Sequence, residues 1–270
     1  MTANKEISVV IGSYNRCRFL KRTIASVREE LERASLSAEI VVVDGGSTDG
    51  SLSWLLKQKD VLTIAQHNRG RWAGKEVERR SWGYFMNLGF KCAQGEYVCM
   101  LSDDCLVVPG AIGNGVRLFN ARREEGERIG AMAFYWRDWP AEQKYRVGLT
   151  FGSRMFVNHG LYLNEALASV GYADEESYLF YHADGDLCLK IWQSGYVCID
   201  SPDSFVEHYA HANVEVRESN AALQKADWDA YVRRWGTLYE TPEKDWLLKD
   251  FKDVNHTVRG FPRNWFGGSP

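Results

Sequence analysis

The first residues with chemistry to offer are Asp103 and Asp104, adjacent carboxylates that close the run Tyr97-Val98-Cys99-Met100-Leu101-Ser102. An apolar run of that length, bounded by turn residues, reads as a buried strand. Two neighbouring acids at the end of such a strand ask for a cation. Carboxylate oxygens beside a diphosphate suit Mg²⁺ or Mn²⁺. Open parallel sheets bind their ligands outside the carboxyl ends of the strands, where this pair would stand. A solvated Ser-Asp turn uses the same residue types, so this segment alone leaves both readings open.

The elements around the pair decide between them. Ile7 to Ile11 is a strand ended by Gly12-Ser13-Tyr14-Asn15, and Leu20, Ile24, Val27 and Leu31 give an amphipathic helix over about Arg18 to Arg33. Ile40 to Val43 is a second buried strand, ended by Asp44-Gly45-Gly46-Ser47. Ser47 or Thr48 is placed to cap a helix carrying Leu52, Leu55 and Leu56. Val61 to Ala65 is a third strand, and a helix through Met86 to Ala93 leads into the strand at Tyr97. This βαβα order predicts an α/β fold with a doubly wound parallel sheet. Three strand ends rich in small and polar residues then meet at one edge, which favours a crevice and a functional pair of acids.

The second half is less regular. Ile129 to Trp136 and Arg146 to Phe151 read as strands, and Gly160 to Ser169 as a short helix. Asp184 to Gln193 reads as a helix with Leu187, Ile191 and Trp192 inward. A mixed segment with His208 and His211 follows Ser201, then a helix with Trp228, Tyr231 and Trp235. No repeat or linker divides the chain, so one domain is expected, with a mobile end at Phe266 to Pro270.

Bulk properties narrow the function. A net charge of −3 gives no reason to expect nucleic acid or a polybasic membrane surface. The dense basic stretch, with Arg69, Arg71, Lys75, Arg79 and Arg80, is local. The longest apolar runs fall short of the ~18 residues of a membrane span, and the first residues lack the pattern of a signal peptide. The six cysteines, Cys17, Cys92, Cys99, Cys105, Cys188 and Cys198, form neither CxxC pairs nor a zinc spacing, which points to a reduced, cytoplasmic protein. Ten tryptophans, among them Trp72, Trp82, Trp136 and Trp139 in polar segments, offer rings for packing or for stacking on sugars.

Four motifs in order carry a resemblance: Val10-Ile-Gly-Ser-Tyr-Asn-Arg16; Val42-Val-Asp-Gly-Gly-Ser-Thr-Asp-Gly-Ser51; Asn87-Leu-Gly89 with Ala93-Gln-Gly-Glu-Tyr97 and Ser102-Asp103-Asp104; and Phe180-Tyr-His-Ala-Asp184-Gly-Asp186-Leu-Cys-Leu-Lys190. Together, over roughly Ile7 to Trp235, the chain resembles the inverting family 2 glycosyltransferases of GT-A fold. The resemblance implies a single doubly wound, mostly parallel sheet flanked by helices. About 1–105 would bind the nucleotide sugar, about 106–240 would form the acceptor-binding and catalytic half, and 241–270 would be a C-terminal tail.

Carried over residue by residue, Ser13, Tyr14 and Asp44 would line the base and ribose pocket, with Asn15, Arg16 and Gly45 beside them. Asp103 would serve the ribose or metal region and Asp104 would ligate Mg²⁺ or Mn²⁺. Asp184 would be the base that deprotonates the acceptor hydroxyl, whereas Asp186 can simply favour a helix start. His208 would touch metal or diphosphate, with His211 in reserve. Where relatives carry a second acid that pairs with uracil, this chain has Gly45, so UDP-, dTDP- and GDP-linked donors all stay open. Relatives also carry Glu before the catalytic Asp, and here it is Ala183.

The acceptor, a glycan, a lipid-linked oligosaccharide, a protein side chain or a small glycoside, would meet Trp136, Trp139, Phe151, Asn158, His159 and Tyr162. The tail from Arg259 to Phe266 would pack on the domain or touch a membrane peripherally. The rival readings are a sugar nucleotidyltransferase, for which Gly12 to Arg16 is a poor phosphate loop, and a non-catalytic nucleotide-sugar-binding module.

Overall fold

The computed structural model describes residues 5–68, 70–209, 218, 220–240 and 247–251, with Trp72 and the last five as backbone only. Its central strands are apolar on both faces, the pattern of a parallel sheet covered by helices on each side. These are β1 (Ile7–Ser13), β2 (Ala38–Asp44) and, after the half-exposed edge strand β3 (Val61–Ala65) and a short hairpin of β4 (Arg71–Trp72) and β5 (Lys75–Glu76), β6 (Tyr97–Ser102). They lie side by side in the order β3-β2-β1-β6, all parallel. The register sets Ser13 opposite Asp44 and Gly12 opposite Ser102, so the three strand ends meet at one edge.

Helix α1 (Cys17–Ala34) turns Leu20, Ile24, Val27 and Leu31 inward, the stripe expected from their spacing, and buries Thr23 beside them. The segment after β2 differs from expectation. Helix α2 (Ser51–Leu55) starts from Gly50, whose φ of 93° needs a glycine, and neither Ser47 nor Thr48 caps it. The Ser47 hydroxyl instead accepts the Asn15 amide, tying β2's end to β1's. Helix α3 (Trp82–Cys92) begins earlier than Met86, because the Ser81 hydroxyl caps it through the Tyr84 amide.

The sheet continues through β7 (Cys105–Val107), α4 (Ala111–Glu124), β8 (Ile129–Asp138), β9 (Tyr145–Thr150), β10 (Arg154–Met155) and β11 (Gly160–Leu163), the last leading into α5 (Asn164–Ser169). The expected helix over Gly160 to Ser169 is therefore half strand. Four fully apolar-facing residues find a gap between β6 and β8 and pair antiparallel with both, and only from Asn164 does the chain coil. Helix α6 (Ala183–Gln193), β12 (Val197–His208), α7 (Gln224–Trp235) and β13 (Leu247–Phe251) complete the described elements. The segment past Ser201 that looked mixed is a long strand, β12, parallel to β8 with irregular register between Ser201 and Phe205.

One apolar cluster lies under α1 and α4, a second under α3 and α6, and a third gathers Phe151, Tyr178, Ala183, Leu189, Tyr231 and Trp235 between α6 and α7. In the second half a buried charge pair crosses strands. Arg137 donates two 2.9 Å hydrogen bonds to Glu207, and the Tyr145 hydroxyl donates to the same carboxylate. All six cysteines are free thiols. No helix among the described residues is long and apolar enough to cross a membrane.

Candidate active site

A cavity of about 610 Å³ opens at the carboxyl edge of the parallel strands. Asp103 and Asp104 stand in its wall, each with only 2–3% of its surface exposed. The turn that carries them is pegged on both sides: the Thr23 hydroxyl donates to the Asp103 carbonyl, and the Tyr209 amide to that of Asp104. One guanidinium nitrogen of Arg16 donates to Asp103 Oδ1 and Asp104 Oδ2, both at 2.8 Å. The Ser13 hydroxyl completes Asp103 through Oδ2. Burial pushes the Asp103 carboxyl up to about 6, against the lowering pull of Arg16.

Arg16 thus offsets part of the acidic charge and leaves one buried oxygen over. Asp104 Oδ1 has no hydrogen-bond partner among the described residues, and His208 Nε2 stands 3.5 Å from it. The other ring nitrogen of His208 lies 2.8 Å from Asp138 Oδ1. Burial opposes charge on His208, but Asp104 and Asp138 outweigh it and hold the imidazole above its ordinary value. An oriented imidazole backed by a carboxylate, beside an orphaned carboxylate oxygen, is a donor set that fits a divalent cation. Among the described residues, no group of three or more His, Cys, Asp or Glu side chains gathers for a metal. The pair suits Mg²⁺ or Mn²⁺, which keeps waters and phosphate oxygens among its ligands.

Asp184 lines the same cavity from the first turn of α6. Its Oδ1 accepts the Gly185 amide at 2.8 Å. Burial dominates its environment and raises the carboxyl to about 6, with only backbone amides opposing. That is a carboxylate poised near neutrality, the property wanted of a general base. Ala183 beside it is buried in the α6–α7 cluster, so no second acid crowds it. Asp186 is turned away: its Oδ1 accepts from Trp235 Nε1 at 2.9 Å and from the Tyr178 hydroxyl at 3.1 Å, which makes it a tie between α6 and α7.

Ser13, Tyr14, Arg16, Gly45, Asp103, Asp104, Asp184 and His208 all line the one cavity. Asn15 and Asp44 do not. The Asn15 carboxamide accepts the Thr48 amide, and Asp44 Oδ1 accepts the Gly46 and Ser47 amides, so both shape the walls from behind. Arg79, Arg80, Trp136 and Asn158 also reach the cavity, whereas Phe151, His159 and Tyr162 are in the core. Arg71 and Lys75 are exposed on the hairpin. Arg69, His211 and both tail segments, Arg259 to Phe266 and Phe266 to Pro270, lie outside the described residues.

Sequence reasoning missed Asp138, Arg146 and Leu179, and met Phe180 to His182 only as the start of the motif that leads to Asp184. A strand-end rule would have found Asp138, because β8 and β12 are parallel neighbours whose last residues, Asp138 and His208, face each other in register. Leu179 has no local signal.

The family model of glycosyl transferase family 2 matches residues 8–168, more than half of the chain. The chain belongs to glycosyl transferase family 2. It is 34% identical over 119 residues to an uncharacterised glycosyltransferase of Nostoc sp., covering 42% of this chain and 33% of that protein. It is 30% identical over 105 residues to the glycosyltransferase GlyG of Streptococcus pneumoniae, covering 37% and 31%. The matched stretch spans about a third of the length of each relative. In fold, this family 2 chain is similar to a mannosyltransferase of Pyrobaculum calidifontis solved with GDP-Man and Mn²⁺, at a TM-score of 0.61 and 18% identity over 86% of this chain and 65% of that one. It is also similar to Staphylococcus aureus TarS residues 1–349 in complex with UDP, at 0.55 and 16% over 76% and 60%. The GT-A architecture expected from the motifs is the one observed.

Proposed function

We propose that this family 2 chain transfers a sugar from a nucleoside-diphosphate-sugar donor to an acceptor hydroxyl, with inversion at the anomeric carbon. The observation that carries the reading is a single cavity with the Asp103–Asp104 pair in its wall and a carboxylate poised near neutrality, Asp184, on α6. A donor site and a base that share one cavity are what a single displacement requires; a covalent route would want a nucleophilic carboxylate as well.

Asp104 and His208 would hold Mg²⁺ or Mn²⁺, in keeping with the Mn²⁺ bound by the Pyrobaculum neighbour. When bound, the ion offsets the charge that develops on the departing diphosphate. Arg16 holds both acids in place and keeps Asp104 Oδ1 turned to its task. Ser13 and Tyr14 face the nucleoside side. Asp184 takes the acceptor proton on its second oxygen, since the first is engaged by the Gly185 amide. Trp136, Asn158 and Phe180 give the acceptor region the aromatic and polar mix that suits a carbohydrate ring. UDP, dTDP and GDP donors stay open, because Gly45 offers no side chain to a base and Tyr14 packs over it instead.

A thermal-shift panel of UDP-, dTDP- and GDP-sugars with and without Mn²⁺ tests this, because a bound ligand raises the melting temperature by mass action. A metal-dependent shift with one donor class, lost in Asp104→Ala, is the expected result. Failure of every nucleotide sugar to shift the protein, with or without Mn²⁺, would sink the reading.

A further inference from the structure

Asp227, in the first turn of α7, is 3% exposed and spends its carboxylate entirely on another segment. Its Oδ1 accepts the Leu179 amide at 2.9 Å, and its Oδ2 accepts those of Phe180 and Tyr181, both at 2.8 Å. Three consecutive backbone donors gathered on one carboxylate fix the path of that backbone far more tightly than one bond would. The segment leads straight into α6, so its next residues are His182, Ala183 and Asp184.

The same segment carries strain. His182 sits at φ 66°, in the left-handed region that a residue with a β-carbon enters only under constraint. Its ring stacks on Tyr231 at 5.1 Å and 19°. The Tyr231 hydroxyl lies 2.6 Å from Thr150 Oγ1, and a methyl group placed on Gly185 would come within 2.7 Å of that hydroxyl. On the other side, the Leu179 carbonyl accepts the Trp82 amide at 2.9 Å. Residues 227 and 231, one turn apart on α7, therefore press on the two halves of the turn that precedes Asp184.

We propose that Asp227 is a positioning residue: by clamping the amides of residues 179–181 it holds the strained turn at His182 and so sets where Asp184 points into the cavity. This rests on Asp184 acting as the base. An acid in the first turn of a helix also gains from the helix dipole, but that gain needs no bonds to another segment, and here all three go to one.

The test compares Asp227→Asn and Asp227→Ala with wild type in the full chain. Hydrogen exchange is followed across the sequence, together with binding of UDP, dTDP and GDP with Mn²⁺. The kcat and KM for nucleoside-diphosphate release from UDP-glucose, dTDP-glucose and GDP-mannose are also measured. A small misplacement of a catalytic group costs up to about 100-fold. The expected result is faster exchange confined to residues 179–184, nucleotide affinity within about twofold of wild type, and kcat lower by about 10-fold in Asn and about 100-fold in Ala. The Asn variant decides if Ala does not fold, since its amide keeps one acceptor oxygen.

The proposal is overturned if exchange at 179–184 is unchanged, or if it rises while kcat stays within threefold. Parallel loss of nucleotide binding and turnover, with faster exchange throughout, also overturns it, since that is a role in the fold alone. Wild-type turnover by Asp184→Asn would instead overturn the base itself, whatever the Asp227 variants do.

Discussion

The two halves of the sheet hold their site residues by different means. In β3-β2-β1-β6, the contributors lie at the end of a parallel strand or within three residues beyond it, and ladder register brings Ser13, Asp44 and Ser102 to one edge. In the second half, Asp184 depends on a strained turn held by a helix about forty residues further along the chain. His208 depends on a β12 that crosses an irregular register before it reaches Asp138. In the first arrangement backbone hydrogen bonds set the strand ends, and Ser13, Arg16 and Thr23 steady the acids just beyond them. The second rests on a few buried side chains, so single substitutions there reach the site through the fold.

The sharpest way to break this contrast is at Asp184, the proposed base. Asp184→Asn is expected to lower turnover by about 10³-fold, within the usual range for general-base loss, while leaving nucleotide binding intact. Its effect on stability runs the other way. The folded carboxyl is raised to about 6 by burial, above the ~3.9 of an exposed Asp. The stability linked to its proton is therefore full below about pH 4 and lost as pH rises through about 6. At pH 8 the Asn variant should melt no lower than wild type, as calorimetry or a thermal ramp would reveal; a lower melting temperature would mean that the carboxylate supports the fold.

The next largest effect falls on the framework of the second half. Glu207→Ala strands the buried Arg137 guanidinium and the Tyr145 hydroxyl. Breaking a buried pair from one side costs about 3–5 kcal/mol, to be read from urea unfolding, with the nucleotide binding proposed for the parallel half impaired only as far as the protein unfolds. Equal stability in Glu207→Ala and wild type would contradict the contrast.

Acidity supplies a smaller effect. As the proposed base, Asp184 would have to be unprotonated to accept a proton, so kcat/KM should fall about tenfold for each pH unit below about 6 and level off above it. A flat profile between pH 5 and 7 would argue against Asp184. The smallest effect belongs to the parallel half. A β-carbon at Gly45 would stand 3.2 Å from the Tyr14 ring, so Gly45→Ala should shift that ring slightly. Nucleoside-diphosphate affinity should then fall by about threefold to tenfold, the equivalent of about 1 kcal/mol, with turnover of bound donor unchanged. Titration calorimetry checks it.

The parallel half was legible because its signals are local. Continuous apolar runs such as Ile40 to Val43 state that a strand is buried on both faces, and Gly, Ser and Asp at their ends state where it stops. The misplaced cap at Ser47 or Thr48 shows the limit, since Gly50 and its positive φ outweighed a good capping residue. Gly160 to Leu163 was misread because a short apolar run fits helix or strand equally, and only the open lane between β6 and β8 decides. Asp227 carried no local signal, as it acts on residues nearly fifty positions away, and Asp138 is found only by matching two strand ends seventy positions apart.

By itself the sequence determined the alternation of strand and helix, the three polar strand ends, the acid pair at 103–104 and the motif around Asp184. Periodicity and turn chemistry are written within a few residues of one another. Only the tertiary structure decided that Arg16 bridges the two acids, that Asp104 keeps one oxygen for the cavity, and that burial raises Asp184 to about 6. Burial and charge pairing are properties of the space around a group, and that space is built by segments far apart in the chain.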